Sequence, residues 1–111
     1  MGYIYAEEGQ DLDRAISLIK KAVELDPANG AYMDSLGWAY YKKGMLEEAL
    51  AEVEKALKAL PDDPVVISHL GDIYYAKGEV KKAIKEWQKA LKLNPKNKRL
   101  RQKINEAKKQ Q

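Results

Sequence analysis

Residues 64–97 read PVVISHLGDIYYAKGEVKKAIKEWQKALKLNPKN, and residues 30–63 before them read GAYMDSLGWAYYKKGMLEEALAEVEKALKALPDD. Laid over one another, the two stretches align Gly37 with Gly71, Ala49 with Ala83, Ala56 with Ala90 and Pro61 with Pro95, each pair 34 residues apart. Identities at one fixed offset mark an internal repeat, in which one supersecondary unit stacks on copies of itself. Each of these residue types has a physical reason to recur. A glycine inside a helix costs about 1 kcal/mol relative to alanine, so Gly37 and Gly71 predict two helices in close approach. Ala49, Ala56, Ala83 and Ala90 are the small partners on the facing helix, and Tyr40 and Tyr74 fill the space beside them. Pro27, Pro61 and Pro95 stop a helix and bias the residue before them out of the helical region. Ala49, Leu50, Val53, Ala56, Leu57 and Leu60 fall at amphipathic-helix spacing, so the chain is predicted to be all-α.

Residue by residue, the repeat resembles the tetratricopeptide repeat (TPR) family. That family's pattern sets a large residue fourth, Leu-Gly seventh and eighth, Tyr eleventh, Ala twentieth, an aromatic twenty-fourth, Ala twenty-seventh and Pro thirty-second. Residues 64–97 supply Ile67, Leu70, Gly71, Tyr74, Ala83, Trp87, Ala90 and Pro95; residues 30–63 supply Met33, Leu36, Gly37, Tyr40, Ala49, Val53, Ala56 and Pro61, departing mildly at Met33 and Val53. A third copy shows as Ala15, Ala22 and Pro27. Its Gly2 and Tyr5 fit only if one residue is inserted in a turn at Glu8-Gly9-Gln10-Asp11, and its first helix is incomplete. The run from Asp34 to Tyr41 is similar to the last repeats of long bacterial arrays. The resemblance implies an all-α, right-handed superhelix of antiparallel helix pairs, one domain with a truncated repeat at 1–29, complete repeats at 30–63 and 64–97, and a capping helix at 98–111. Because the chain begins inside a helix, it is expected to be an excerpt of a longer protein.

Composition excludes several functional classes. The 111 residues contain no Cys, which rules out disulfides and a thiolate zinc site and leaves the redox compartment unread. No run reaches the roughly 18 apolar residues of a membrane span, and no cleavable signal precedes the repeats. His69, the single histidine, lies in a repeat helix and is read as ordinary helix packing. Glu47-Glu48 and Asp62-Asp63 suit a helix start and a turn. No glycine run cradles a phosphate. The expectation is therefore a chain that is not an enzyme and takes no cofactor or metal.

The formal charge of +3 is unevenly distributed. From Lys96 onward seven basic residues stand against Glu106, a balance of +6, while residues 1–95 carry 13 basic and 16 acidic groups, a balance of −3. Leu100, Ile104 and Ala107 recur at helical spacing in this tail, which reads as a solvated capping helix, with nonspecific phosphate contact as the alternative. Specific nucleic-acid binding is not expected.

In the TPR family the second, fifth, ninth, twelfth and thirteenth positions line a concave groove. The resemblance carries this to Ala31, Asp34, Trp38, Tyr41 and Lys42, then to Val65, Ser68, Asp72, Tyr75 and Ala76, with Tyr3, Ala6 and Glu7 from the partial repeat. Asp34, Trp38, Tyr41 and Lys42 also share one helix face by spacing alone, apart from Met33, Leu36, Gly37 and Tyr40. The implied site is an aromatic, mildly acidic groove for a protein or peptide partner, with Tyr3, Trp38, Tyr41 and Tyr75 as anchors and Asp34 and Asp72 selecting basic or amide groups. The alternative is that these rings only pack repeat on repeat. The Lys and Asn set that clamps a chaperone's terminal carboxylate in some family members is replaced by Asp34, Trp38, Ser68 and Asp72. A last expectation concerns Ala15, Ile16, Ile19, Ala22 and Val23, read as an uncovered apolar face through which two copies pair as a homodimer.

Overall fold

A computed structural model describes residues 9–111, with side chains from residue 11. Among the described residues there are six helices and no strand: α1 (Gly9–Leu25), α2 (Gly30–Lys43), α3 (Leu46–Ala59), α4 (Pro64–Ala76), α5 (Val80–Leu93) and α6 (Lys98–Lys109). They divide between two compact units, Met1–Ala59 and Leu60–Gln111. In the first unit α2 packs on both α1 and α3; in the second α5 packs on both α4 and α6.

The glycines explain the pairing of helices. A Cβ built on Gly37 would lie 2.6 Å from Cγ2 of Val53 and 3.2 Å from the Ala49 carbonyl oxygen. One built on Gly71 would lie 2.4 Å from Cδ1 and 2.5 Å from Nε1 of Trp87. Ala49, Ala56, Ala83 and Ala90 on the paired helices are fully buried, so small residues on both helices let the backbones approach and large residues fill the remaining volume. The second unit's core is Val66, Ile67, Leu70, Ile73, Ile84 and Trp87, closed by Leu100, Ile104 and Ala107 of α6.

Three helices begin on a side-chain cap placed at the same 34-residue period. Asn29 accepts from the Tyr32 amide at 3.1 Å, Asp63 from the Val65 amide at 2.9 Å, and Asn97 from the Leu100 amide at 3.1 Å. Each cap stands two residues after one of the prolines, so the stop of one helix and the start of the next form a single short motif. A cap of this kind stabilises a helix by about 1 kcal/mol. The turns inside the helix pairs use Gly44 and Gly78 at φ +86° and +84°, a left-handed conformation that only glycine adopts freely.

One expected boundary is corrected. Gly9, Gln10 and Asp11, read as an inserted turn, are the first residues of α1. Asp11 suits that position because an acid in the first turn complements the helix dipole. The half-helix expected at 2–7 lies outside the described residues.

The two glycines predict unequal penalties. Gly71→Ala drives a methyl into the buried Trp87 ring and should lower unfolding free energy by about 1–3 kcal/mol despite the better helix former. Gly37→Ala meets one side-chain atom, Cγ2 of Val53, under 3 Å and two backbone atoms at 3.2 and 3.3 Å, against two ring atoms under 3 Å at Gly71, and should cost less. Urea denaturation of both variants checks the order.

Candidate functional site

On α2, Leu36, Gly37 and Tyr40 point into the core, and Trp38, Tyr41 and Lys42 lie on a neighbouring stripe. Trp38 and Tyr41 are half-buried and stack with ring centroids 4.7 Å apart and planes inclined by 21°. The exposed Lys42 places its ammonium 5.3 Å from the Trp38 ring centroid, a cation–π arrangement that orders both side chains. The result is a flat aromatic surface with one cationic edge. Asp34, expected to face a partner, is instead buried at 8% exposure.

The corresponding stripe of α4 is built differently. Asp72 is also only 8% exposed. Its Oδ1 accepts from Trp87 Nε1 at 3.1 Å and from Lys103 Nζ at 2.9 Å. Lys103 additionally lies 5.7 Å from the Trp87 ring centroid. A withdrawn carboxylate must be compensated by hydrogen bonds or charge, and here α5 and α6 supply both. Asp72 is thereby engaged inside the second unit, which corrects the expectation of an acid selecting a partner's basic groups. Tyr75, 38% exposed, packs its ring 5.5 Å from Trp87 and accepts at its hydroxyl from Gln110 Nε2 at 2.6 Å. Ser68 is half-buried beside them. That α6 reaches this stripe goes beyond the sequence reading, in which Lys103 and Gln110 are two members of a solvated basic helix. Their separation of seven residues, two helical turns, is the signal that puts them on one face.

Tyr3 lies outside the described residues. The α1 face read as uncovered is largely closed: Ile16 is buried and Ala15, Ile19, Ala22 and Val23 are half-buried, with α2 packed against the helix. Lys43 of α2 bonds Asp13, and Lys20 lies 5.9 Å from the Tyr40 ring centroid, so α1 is tied to α2 along its length. Leu18 and Leu25 remain exposed at 62% and 87%. A homodimer through this face is therefore without support. Among the described residues no group of acidic or histidine side chains could hold a metal ion, and no helix is long and apolar enough to cross a membrane.

Residues 6–66 match a family model described as tetratricopeptide repeat, a span of more than half the chain, and residues 71–104 match a second described as TPR repeat. The chain belongs to the tetratricopeptide repeat family. No curated protein matches it. Among solved structures, the thermophilic TPR protein TTC0263 of Thermus thermophilus is similar at 31% identity and a TM-score of 0.78, over 86% of this chain and 49% of that one. This TPR chain thus spans about half the length of that relative. The TPR domain of Arabidopsis OM64 is similar at 20% identity and a TM-score of 0.87, over 96% of this chain and 88% of that one. The first TPR of Spaghetti (RPAP3), bound to the HSP90 peptide SRMEEVD, is similar at 21% identity and a TM-score of 0.86, over 97% of this chain and 85% of that one.

Two substitutions separate the tryptophans. Trp87, 3% exposed, sits in the core, and Trp87→Ala should cost about 3–5 kcal/mol, whereas Trp38→Ala should cost less than about 1.5 kcal/mol. Asp72→Ala leaves the Trp87 N–H without an acceptor and should cost about 1–3 kcal/mol, while Lys103→Ala, a partly exposed partner, should cost less than about 1 kcal/mol. Denaturant melts of the four variants check both orders.

Proposed function

We propose that the chain is a non-catalytic protein-interaction module of the TPR type. It engages a peptide or helical segment of a partner through the outer stripes of its repeat helices. In the first unit the contacting side chains are Trp38, Tyr41 and Lys42, and in the second Ser68 and Tyr75, with Tyr3 assigned to the same set by its place in the partial repeat. The observation that carries this reading is the stacked, half-exposed Trp38–Tyr41 pair with Lys42 at its edge. Rigid aromatic side chains that already have fixed orientations bind with little further loss of conformational freedom, and Trp and Tyr dominate measured binding hot spots. Asp34 and Asp72 are buried and are not assigned to the contact set; Asp72 instead holds the Trp87 indole beneath Tyr75.

The peptide held by the Spaghetti domain gives the general form of such a complex, a short peptide on a TPR surface. The cationic and amide set that clamps a terminal carboxylate is not carried over, since Asp34, Trp38, Ser68 and Asp72 stand at those positions. A partner of this chain is accordingly read through apolar and aromatic side chains.

Selection of displayed peptides against the intact chain tests the reading. Peptides enriched on the wild type should lose at least about tenfold in affinity for the Trp38→Ala, Tyr41→Ala variant, equivalent to about 1.4 kcal/mol, under conditions where circular dichroism shows the variant fully folded. Peptides that bind both proteins equally would move the interaction away from this stripe.

A further inference from the structure

The second unit holds a recess that no part of the TPR reading uses. It has a volume of about 310 Å³, lies between α5 and α6, and is lined by Gln88, Leu91, Arg101, Ile104, Asn105 and Lys108. Arg101 and Lys108 are two helical turns apart, about 10 Å along the axis, and sit on the side of α6 away from Lys103 and Gln110. Half-buried Leu91 and the outer edge of Ile104, 5% exposed and otherwise part of the core, give the recess its aliphatic lining, and Gln88 and Asn105 add amides. Arg101 is held in place by donating Nη2 to the Pro95 carbonyl at 2.8 Å, and its guanidinium keeps further N–H donors for a ligand. Lys108 is exposed.

The surrounding charge points the same way. The unit Leu60–Gln111 carries 13 basic and 6 acidic residues, a balance of +7, against 7 basic and 11 acidic, a balance of −4, in Met1–Ala59. We infer that this recess is a second docking site, for an acidic peptide segment that presents two carboxylates about two helical turns apart with an aliphatic side chain between them. The carboxylates pair with Arg101 and Lys108, and the aliphatic side chain covers Leu91 and Ile104. A nucleic acid is a poorer fit, because no aromatic side chain lines the recess for a base to stack on. A membrane surface is a poorer fit too, because Leu93, the exposed leucine of α5, projects from the side of that helix opposite Leu91.

Fluorescence anisotropy of the full chain with a labelled, alanine-based helical peptide tests this. The peptide carries two glutamates two turns apart and a leucine midway, and the buffer contains about 150 mM salt to screen long-range attraction. Saturable binding is expected, weakened at least tenfold by Arg101→Glu with Lys108→Glu. Lys82→Glu with Lys89→Glu changes net charge equally on the other side of α5 and should weaken binding less than threefold, and replacing both peptide glutamates by glutamine should abolish it. Circular dichroism melts confirm that both double variants are folded. Trp38→Ala with Tyr41→Ala should leave the affinity unchanged; loss in that variant would place the peptide on the α2 stripe and overturn the inference while leaving the interaction reading intact. Absence of saturable binding would overturn it, as would equal weakening by both charge reversals. Tighter, Arg101- and Lys108-dependent binding of a uridylate oligomer or of phosphatidylserine vesicles would replace it with a phosphate surface.

Discussion

The close approach of paired helices at Gly37 and Gly71 is the constraint on which the remaining structure depends. Removing a side chain there brings the backbone of one helix against Val53 or Trp87 of the next, while the buried alanines of those facing helices keep the rest of each contact thin. With the helix axes so close, the larger residues are displaced to the flanks, where they form the core on one side and the candidate contact stripe on the other. The penalty of about 1 kcal/mol for a helical glycine is offset by the dispersion and burial that dense packing provides.

From the same constraint comes the difference between the two stripes. Trp87 fills the space opposite Gly71, and its indole N–H needs an acceptor once buried. Asp72 supplies it, and a buried carboxylate in turn needs more than one donor, which Lys103 provides. In the first unit Val53 takes the equivalent position and asks for no polar partner. Trp38, which stands 34 residues before Asp72, instead remains a half-exposed ring stacked on Tyr41. One aromatic-for-aliphatic exchange at the packing position thus changes what the neighbouring stripe can offer.

Much of this was legible in the residues. The period of Gly, Ala and Pro implied helix pairs and their tight contact, because those residue types have few other reasons to recur together. The stripe of Trp38, Tyr41 and Lys42 followed from helical spacing alone. The burial of Asp34 and Asp72 was not legible, since a polar residue on an outer stripe reads as exposed unless its donors are known, and Lys103 lies 31 residues away from Asp72. The start of α1 was missed for a related reason: Gly9 resembles a turn residue, and only the helix that follows it shows otherwise.

The caps at Asn29, Asp63 and Asn97 carry a consequence for how such a chain changes length. Each follows its proline by two residues and accepts from a free amide in the first turn of the helix it opens. Any segment bounded by two successive caps therefore begins and ends at the same hydrogen-bonding state. Duplicating or excising such a segment leaves every helix start with the cap it had before, so 34-residue gains and losses are the length changes this architecture tolerates at least cost.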